Sequence, residues 1–194
     1  MIFKKDITRE EINELPKAAY NGKIVVITSH DELIKHIPTL VKEKIIGFDT
    51  ETKPAFKKGQ VNGIALLQLA THEIALLIKV KEVGIPDELI TVLENPSILK
   101  IGAAIRDDNR GLQKVAKYNP AGFVDLQNIV SDYGIECLSL RKIAAIVLEQ
   151  KVSKSQQLSN WENPIYTEAQ RQYAAIDAWA CREIYLKLLA SKAK

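Results

Sequence analysis

Two apolar runs, residues 64–71 (IALLQLAT) and 73–80 (EIALLIKV), are separated by His72 alone. Each has strand length, and so short a break joins them as an antiparallel pair. An antiparallel pair this apolar needs a sheet around it and cover above it. The flanking pattern supplies both. Residues 23–28 (KIVVIT) read as a strand, and Ser29 followed three residues later by Glu32 is a capping-box pattern. It opens a helix over 30–43, and a strand over 44–51 follows. Beyond the hairpin, Pro86 marks the start of a helix over 86–94, and 100–105 (KIGAAI) is a short buried strand. Residues 107–118 have helical spacing, 125–133 form a second short helix, and 139–150 are amphipathic. Thr167 with Gln170 opens a long helix over 168–191. Hairpin strands come first and then alternate with helices. The expected class is therefore α/β: a mixed sheet containing an antiparallel hairpin, with helices on both faces. Residues 1–22 form a polar N-terminal leader with a short helix over 8–14, and 23–194 form a single domain.

The chain length suits one domain with a full core. Two cysteines, Cys137 and Cys181, have neither disulfide-framework nor metal-ligand spacing. A net charge of +3 permits a polyanionic partner without demanding one. The N-terminus (MIFKKDITREE) turns charged within four residues, unlike a signal peptide. No apolar run approaches the ~20 residues that span a bilayer. The expectation is a soluble, cytoplasmic protein with no membrane partner.

The strand at 44–51 continues as IIGFDTETKP, an apolar run ending in Asp49 and Glu51. Residues two apart on a strand face the same way, so both carboxylates aim at one spot. RDDN places Asp107 and Asp108 just past the KIGAAI strand, at the strand-end crevice where open α/β sheets bind ligands. One of this pair caps the following helix and the other faces the crevice. In the last helix, Tyr173 and Asp177 share a face, one turn apart. Ala174, Ala175, Ala178 and Ala180 surround them, and such small side chains let that helix approach the sheet closely. Four carboxylates in one pocket would raise each other's pKa unless a cation sat among them. Oxygen donors without His or Cys favour Mg²⁺ or Mn²⁺. Two such ions ~3.5–4 Å apart clamp a phosphodiester for in-line attack. Tyr173, with a free pKa of about 10, suits orienting a water better than taking its proton.

These segments resemble the DEDDy family of 3′→5′ exonucleases, which includes ribonuclease D, polymerase proofreading domains and the Werner syndrome helicase exonuclease domain. FDTET is similar to the first motif of that family, KIGAAIRDDNRGL to the second and YAAIDAWA to the third. GIALLQLAT resembles the family's second strand, and LSNWENPIYTEAQRQYAAIDA the run leading into the third motif. The resemblance spans about 41–190 and is strongest to the Werner-like branch. It implies a ribonuclease H-like fold and two divalent cations, Mg²⁺ or Mn²⁺. The implied reaction is hydrolysis at the 3′ end of a nucleic acid strand, DNA or RNA, releasing nucleoside 5′-monophosphates. Its register assigns the second-motif acid to Asp108. It implies that Asp49, Glu51 and Asp177 hold one ion, that Asp49 and Asp108 serve the other, and that Tyr173 completes the catalytic set. Two alternatives are a non-catalytic nucleic-acid-binding module of the same fold and a nuclease of very short oligonucleotides.

The strand itself needs positive and aromatic contacts. Lys53 and Phe56 lie in the loop after the acid strand, Arg106 precedes the Asp pair, and Lys154 lies in the polar stretch KVSKSQQ. Of Leu66 and Leu67, which face opposite ways, Leu67 is assigned to the terminal base. Trp161 and Trp179 are read as packing residues. No protein partner is inferable.

Overall fold

The computed structural model describes residues 3–54 and 62–192. Its elements are α1 (Arg9–Glu14), β1 (Lys23–Ile27), α2 (His30–Val41), β2 (Ile45–Thr52), β3 (Ile64–Ala70), β4 (Ile74–Lys79), α3 (Val80–Val83) and α4 (Asp87–Leu93). Then follow β5 (Leu99–Gly102), α5 (Arg106–Gln113), β6 (Phe123–Asp125), α6 (Leu126–Ile129), a 3₁₀ turn (Val130–Tyr133), α7 (Leu140–Leu148) and α8 (Glu168–Lys192). The sheet order is β1-β4-β3-β2-β5-β6. β2/β3 and β3/β4 are antiparallel, while β1/β4, β2/β5 and β5/β6 are parallel. The mixed sheet expected from the sequence is therefore present. The β3–β4 turn is closed by Thr71, whose Oγ1 accepts the Glu73 and Ile74 N–H groups at 3.1 and 3.0 Å.

Several elements differ from the expectation. β6 and α3 were not foreseen, and the helix expected over 125–133 is α6 followed by a 3₁₀ turn. The helix expected over 107–118 stops at Gln113, and the strand expected over 100–105 stops at Gly102. Ala104 explains the last point. It lies at φ 61°, a left-handed conformation that neither a strand nor a helix can carry.

Each face of the sheet carries its own core. Phe48, Leu67, Leu69, Leu76 and Ile78 point to one face, under Leu33 and Leu40 of α2, Leu89 and Val92 of α4, and Leu112 of α5. On the other face lies α8, and its buried Ala174, Ala175 and Ala178 let its backbone settle onto the strands. The contact is so close that a Cβ on Gly47 would lie 1.8 Å from the Ala178 carbonyl oxygen. Only glycine fits there. The leader also belongs to the fold: Phe3, Ile7 and Ile12 are buried against α7 and the C-terminal part of α8. Thr8 and Glu11 cap α1 reciprocally.

Candidate active site

The β2–β3 register pairs Asp49 with Gln68, Thr50 with Leu67 and Glu51 with Leu66. Gly47, Asp49 and Glu51 thus share the face under α8, while Phe48 points into the core of the other face and Thr50 alternates to that side. Because α8 is seated directly on Gly47, Asp177, the neighbour of Ala178 in the chain, arrives beside the two strand acids. One carboxylate oxygen from each of Asp49, Glu51 and Asp177 lies within 4.8 Å of the others.

The three acids are strongly perturbed. Burial, then the charges of Asp177, Glu51 and Asp108, push Asp49 well above the usual carboxylate range. Burial first, then Asp177 and Asp108, raises Glu51 to about 8. Burial raises Asp177 to about 7, against the opposing pull of the Tyr173 hydroxyl and the Lys154 charge. Burial and the neighbouring Asp177 and Glu51 charges raise Tyr173 too, so its phenol stays protonated. Tyr173 is held by Trp161, whose ring stacks on it at 5.8 Å with a 31° tilt. The Trp161 indole N–H is buried without a well-formed hydrogen bond, close enough to Glu51 to favour its ionised form.

Asp108 sits apart from the three-acid group. It accepts a hydrogen bond from Thr50 Oγ1, the residue between the two strand acids, whose side chain stands on the opposite face. Its charge still reaches Asp49 and Glu51. Asp107 points into solvent and pairs with Arg110 at 3.3 Å. Neither acid caps α5, which has no side-chain cap; Asp125 on β6 instead holds the turn before it, its carboxylate accepting the Ala104 and Ile105 N–H groups at 3.0 and 3.1 Å. This clamp fixes the strained turn that carries Asp108 into place. Sequence reading missed it because Asp125 lies in another element.

The expected strand contacts divide. Lys154 is exposed and lines the cleft of about 370 Å³ that contains Asp49, Glu51, Tyr173 and Asp177. Arg106 is exposed at the start of α5. Lys53 is tied down, its Nζ 3.0 Å from Glu162 Oε2, while Lys81 takes the other oxygen at 2.7 Å. Phe56 lies outside the described residues. Leu67 must be corrected: it is fully buried in the core of the opposite face, because the β2–β3 register sets it against Thr50 rather than Glu51. Leu66 faces the acid side but is also fully buried. Arg141 and Gln157 line the cleft and were not singled out. Arg141 lies in an amphipathic helix whose pattern gave no spacing cue.

The donors are all oxygen, crowded and desolvated, and two of them are raised to near neutral pH. A hard divalent cation fits such a set, because it replaces the protons that the crowding otherwise recruits.

Comparison with known proteins agrees with this geometry. The profile of the 3′-5′ exonuclease family matches residues 24–191. The mouse bifunctional 3′-5′ exonuclease/ATP-dependent helicase WRN is 33% identical over 151 residues, covering 74% of this chain and 11% of that protein. A putative 3′-5′ exonuclease of Acanthamoeba polyphaga mimivirus is 29% identical over 191 residues, covering 87% of this chain and 46% of that protein. The chain thus spans under half the length of these relatives. Among solved structures, the Aedes aegypti Nibbler EXO domain superposes with a TM-score of 0.80 at 24% identity, covering 91% of this chain and 93% of that one. Escherichia coli RNase D gives 0.78 at 24% identity, covering 88% of this chain and 45% of that one. The fold is ribonuclease H-like. Shared fold, matched profile and a WRN-like sequence place the chain in the 3′-5′ exonuclease family.

Proposed function

We propose that this protein removes nucleotides one at a time from the 3′ end of a nucleic acid strand, with two divalent cations, Mg²⁺ or Mn²⁺, and releases nucleoside 5′-monophosphates. The observation that carries this reading is the packing of Asp49, Glu51 and Asp177 within 4.8 Å in a desolvated cleft. Asp49, Glu51 and Asp177 would hold one ion, and Asp49 and Asp108 the other. Bound there, the pair of ions supplies an activated water and a stabilised leaving oxygen. The protein's own groups do the rest. Protonated Tyr173 orients the attacking water by donating its hydroxyl hydrogen bond. α8 keeps bulk water off the acids, and the Asp125 clamp fixes the turn that leads into the helix carrying Asp108. Lys154, on the opposite wall, faces the phosphate being cut.

The structural neighbours include a Trypanosoma brucei RNase D in complex with RNA U12, a likeness of fold at 18% identity. RNA and DNA are both compatible with a cleft of this chemistry. The test is a 3′-labelled oligonucleotide incubated with Mn²⁺, run in parallel on single-stranded DNA, recessed duplex DNA and RNA. Stepwise shortening that EDTA stops, and that an Asp49→Ala, Asp177→Ala double variant lacks, is the expected result. Digestion at the wild-type rate by the double variant would sink the assignment.

A further inference from the structure

The acid cleft has a second compartment behind its basic wall. Arg141, Val152, Ser153 and Lys154 line the cleft, and the same four residues line an adjoining hollow of about 290 Å³. Its other walls are Asn13, Lys17, Ala18 and Lys151. Four of these eight residues are cationic and none is acidic. Among the described residues, none of the four cations takes part in an ion pair.

The hollow is built by two segments far apart in the chain. After α1, the leader runs beside residues 151–152. The Ala18 N–H donates to the Lys151 carbonyl at 3.0 Å, and the Lys151 N–H to the Pro16 carbonyl at 2.8 Å. Lys151 Nζ also donates to the Asn13 carbonyl at 2.9 Å, which fixes that ammonium while leaving its charge unanswered. Buried Val152 sits between the two compartments. Arg141 Nε is shielded from solvent and, among the described residues, has no hydrogen-bond partner. A buried donor left unpaired is costly, and a ligand oxygen would remove that cost. The acids repel phosphate, whereas this hollow attracts it, and the two are contiguous.

We propose that the hollow binds backbone phosphate of the strand upstream of its 3′-terminal nucleotide, with Lys17, Arg141 and Lys151 as the contacts. This rests on the exonuclease reading above. A strand whose last nucleotide lies over the acids leaves the cleft past Arg141 and Lys154 and meets the leader next. The leader thereby becomes part of the substrate path, and strand length becomes a determinant of affinity. The contacts are to phosphate, so they are indifferent to base sequence.

The test is binding of 5′-fluorescein single strands, from a dinucleotide to a twelve-mer, to Asp49→Ala protein with and without Lys17→Glu. The penalty of Lys17→Glu should grow with strand length. For the longest strand, the slope of log affinity against log salt should become shallower by about 0.7 or more, since each cation–phosphate contact on a single strand contributes about that much. Arg141→Gln should behave likewise, and Arg141→Lys should keep the slope while weakening binding. Thermal melts of each variant separate these effects from misfolding. A penalty equal at every length, or an unchanged salt slope in a folded Lys17→Glu protein, would overturn the proposal. Cleavage of a labelled strand with Mn²⁺ by the protein without Asp49→Ala is scored separately. No cleavage with length-dependent binding refutes the nuclease and leaves the subsite standing; cleavage with length-independent binding does the opposite.

Discussion

Gly47→Ala is the most demanding test of how the acids are brought together. The new Cβ would lie 1.8 Å from the Ala178 carbonyl oxygen, 2.5 Å from its carbonyl carbon and 3.2 Å from the Trp179 nitrogen. Real Cβ contacts stay above about 3.0 Å, so strand and helix must part by at least about 1.2 Å (3.0 less 1.8). The obstacle is backbone, so no smaller side chain at Ala178 can relieve it. Overpacking typically costs 1–3 kcal/mol and occasionally more, and a backbone clash lies at the upper end. At about 3 kcal/mol, and ~2–4 °C per kcal/mol for a domain of this size, Tm should fall by roughly 6–12 °C.

The same displacement moves Asp177 away from Asp49 and Glu51. Metal–ligand distances tolerate only about ±0.2 Å, and a 1 Å misplacement at a reacting centre costs on the order of 10²-fold in rate. Gly47→Ala protein that is still folded at low temperature should therefore cleave a 3′-labelled strand about a hundredfold more slowly. It should also lose most of the Tm increase that Mn²⁺ confers. Gly63→Ala is the control, because its Cβ meets nothing within 4 Å. A Gly47→Ala protein with wild-type Tm and wild-type cleavage would refute the claim that this glycine seats α8 and so assembles the site.

Burial and neighbouring charges oblige Asp49 to take up a proton in the metal-free fold, and Asp49→Asn removes that need, so Tm in EDTA at neutral pH should rise while cleavage disappears and Mn²⁺ no longer stabilises; a fall in metal-free Tm would contradict the crowding. The metal-free protein should lose stability as pH rises. Glu51 titrates near 8 in the fold against 4.5 in the unfolded chain, so between those values the folded state holds the extra proton and stability declines with pH. Melting curves in EDTA at about pH 5.5, 7 and 8.5 check the sign, and saturating Mn²⁺ should flatten the trend. Gln68 is fully buried, and among the described residues neither end of its amide has a hydrogen-bond partner. Gln68→Met keeps the volume and removes the unpaired dipole, so Tm should rise by ~2–4 °C, corresponding to about 1 kcal/mol.

What could be read from the sequence was what local periodicity encodes. The two-residue spacing of Asp49 and Glu51, the one-turn spacing of Tyr173 and Asp177, and the paired caps at Ser29 and Thr167 each declare themselves within a few residues. The hairpin declared itself through the shortness of its break. Features that depend on register or on a distant partner did not. Whether Leu66 or Leu67 faces the acids is a parity question, and β2–β3 pairing answers it from outside the strand. β6 is three residues long and exists because Lys100, Ile101 and Gly102 offer it an edge. The sequence offered Asp107 or Asp108 as the cap of α5, yet neither caps it, and the turn before it is held by Asp125 from another strand. The leader read as polar because its few apolar residues are scattered, although Phe3, Ile7 and Ile12 converge once α7 and α8 are in place.

The acid cluster is a place where folding and function pull in opposite directions. Gly47 and the alanines of α8 bring Asp177 onto the strand, and the same closeness dries the cleft. Drying raises the acids toward protonation, so without a cation the site is held together partly by protons. A divalent ion replaces those protons only if the three oxygens are already close, which is what the glycine contact enforces. Lys154 alone cannot substitute for the ion: its charge pulls Asp177 down, yet burial still leaves that group near 7. The cleft is therefore polarised, with carboxylates on the strand side and unpaired cations on the α7 side. A phosphodiester backbone can satisfy both walls at once only with metal on the first and phosphate on the second. Strand binding and metal binding should consequently reinforce each other. In Asp108→Asn protein, which keeps the three-acid group, Mn²⁺ should still tighten binding of a non-hydrolysable phosphorothioate strand. Equal affinity with and without Mn²⁺ would show that the two walls act independently.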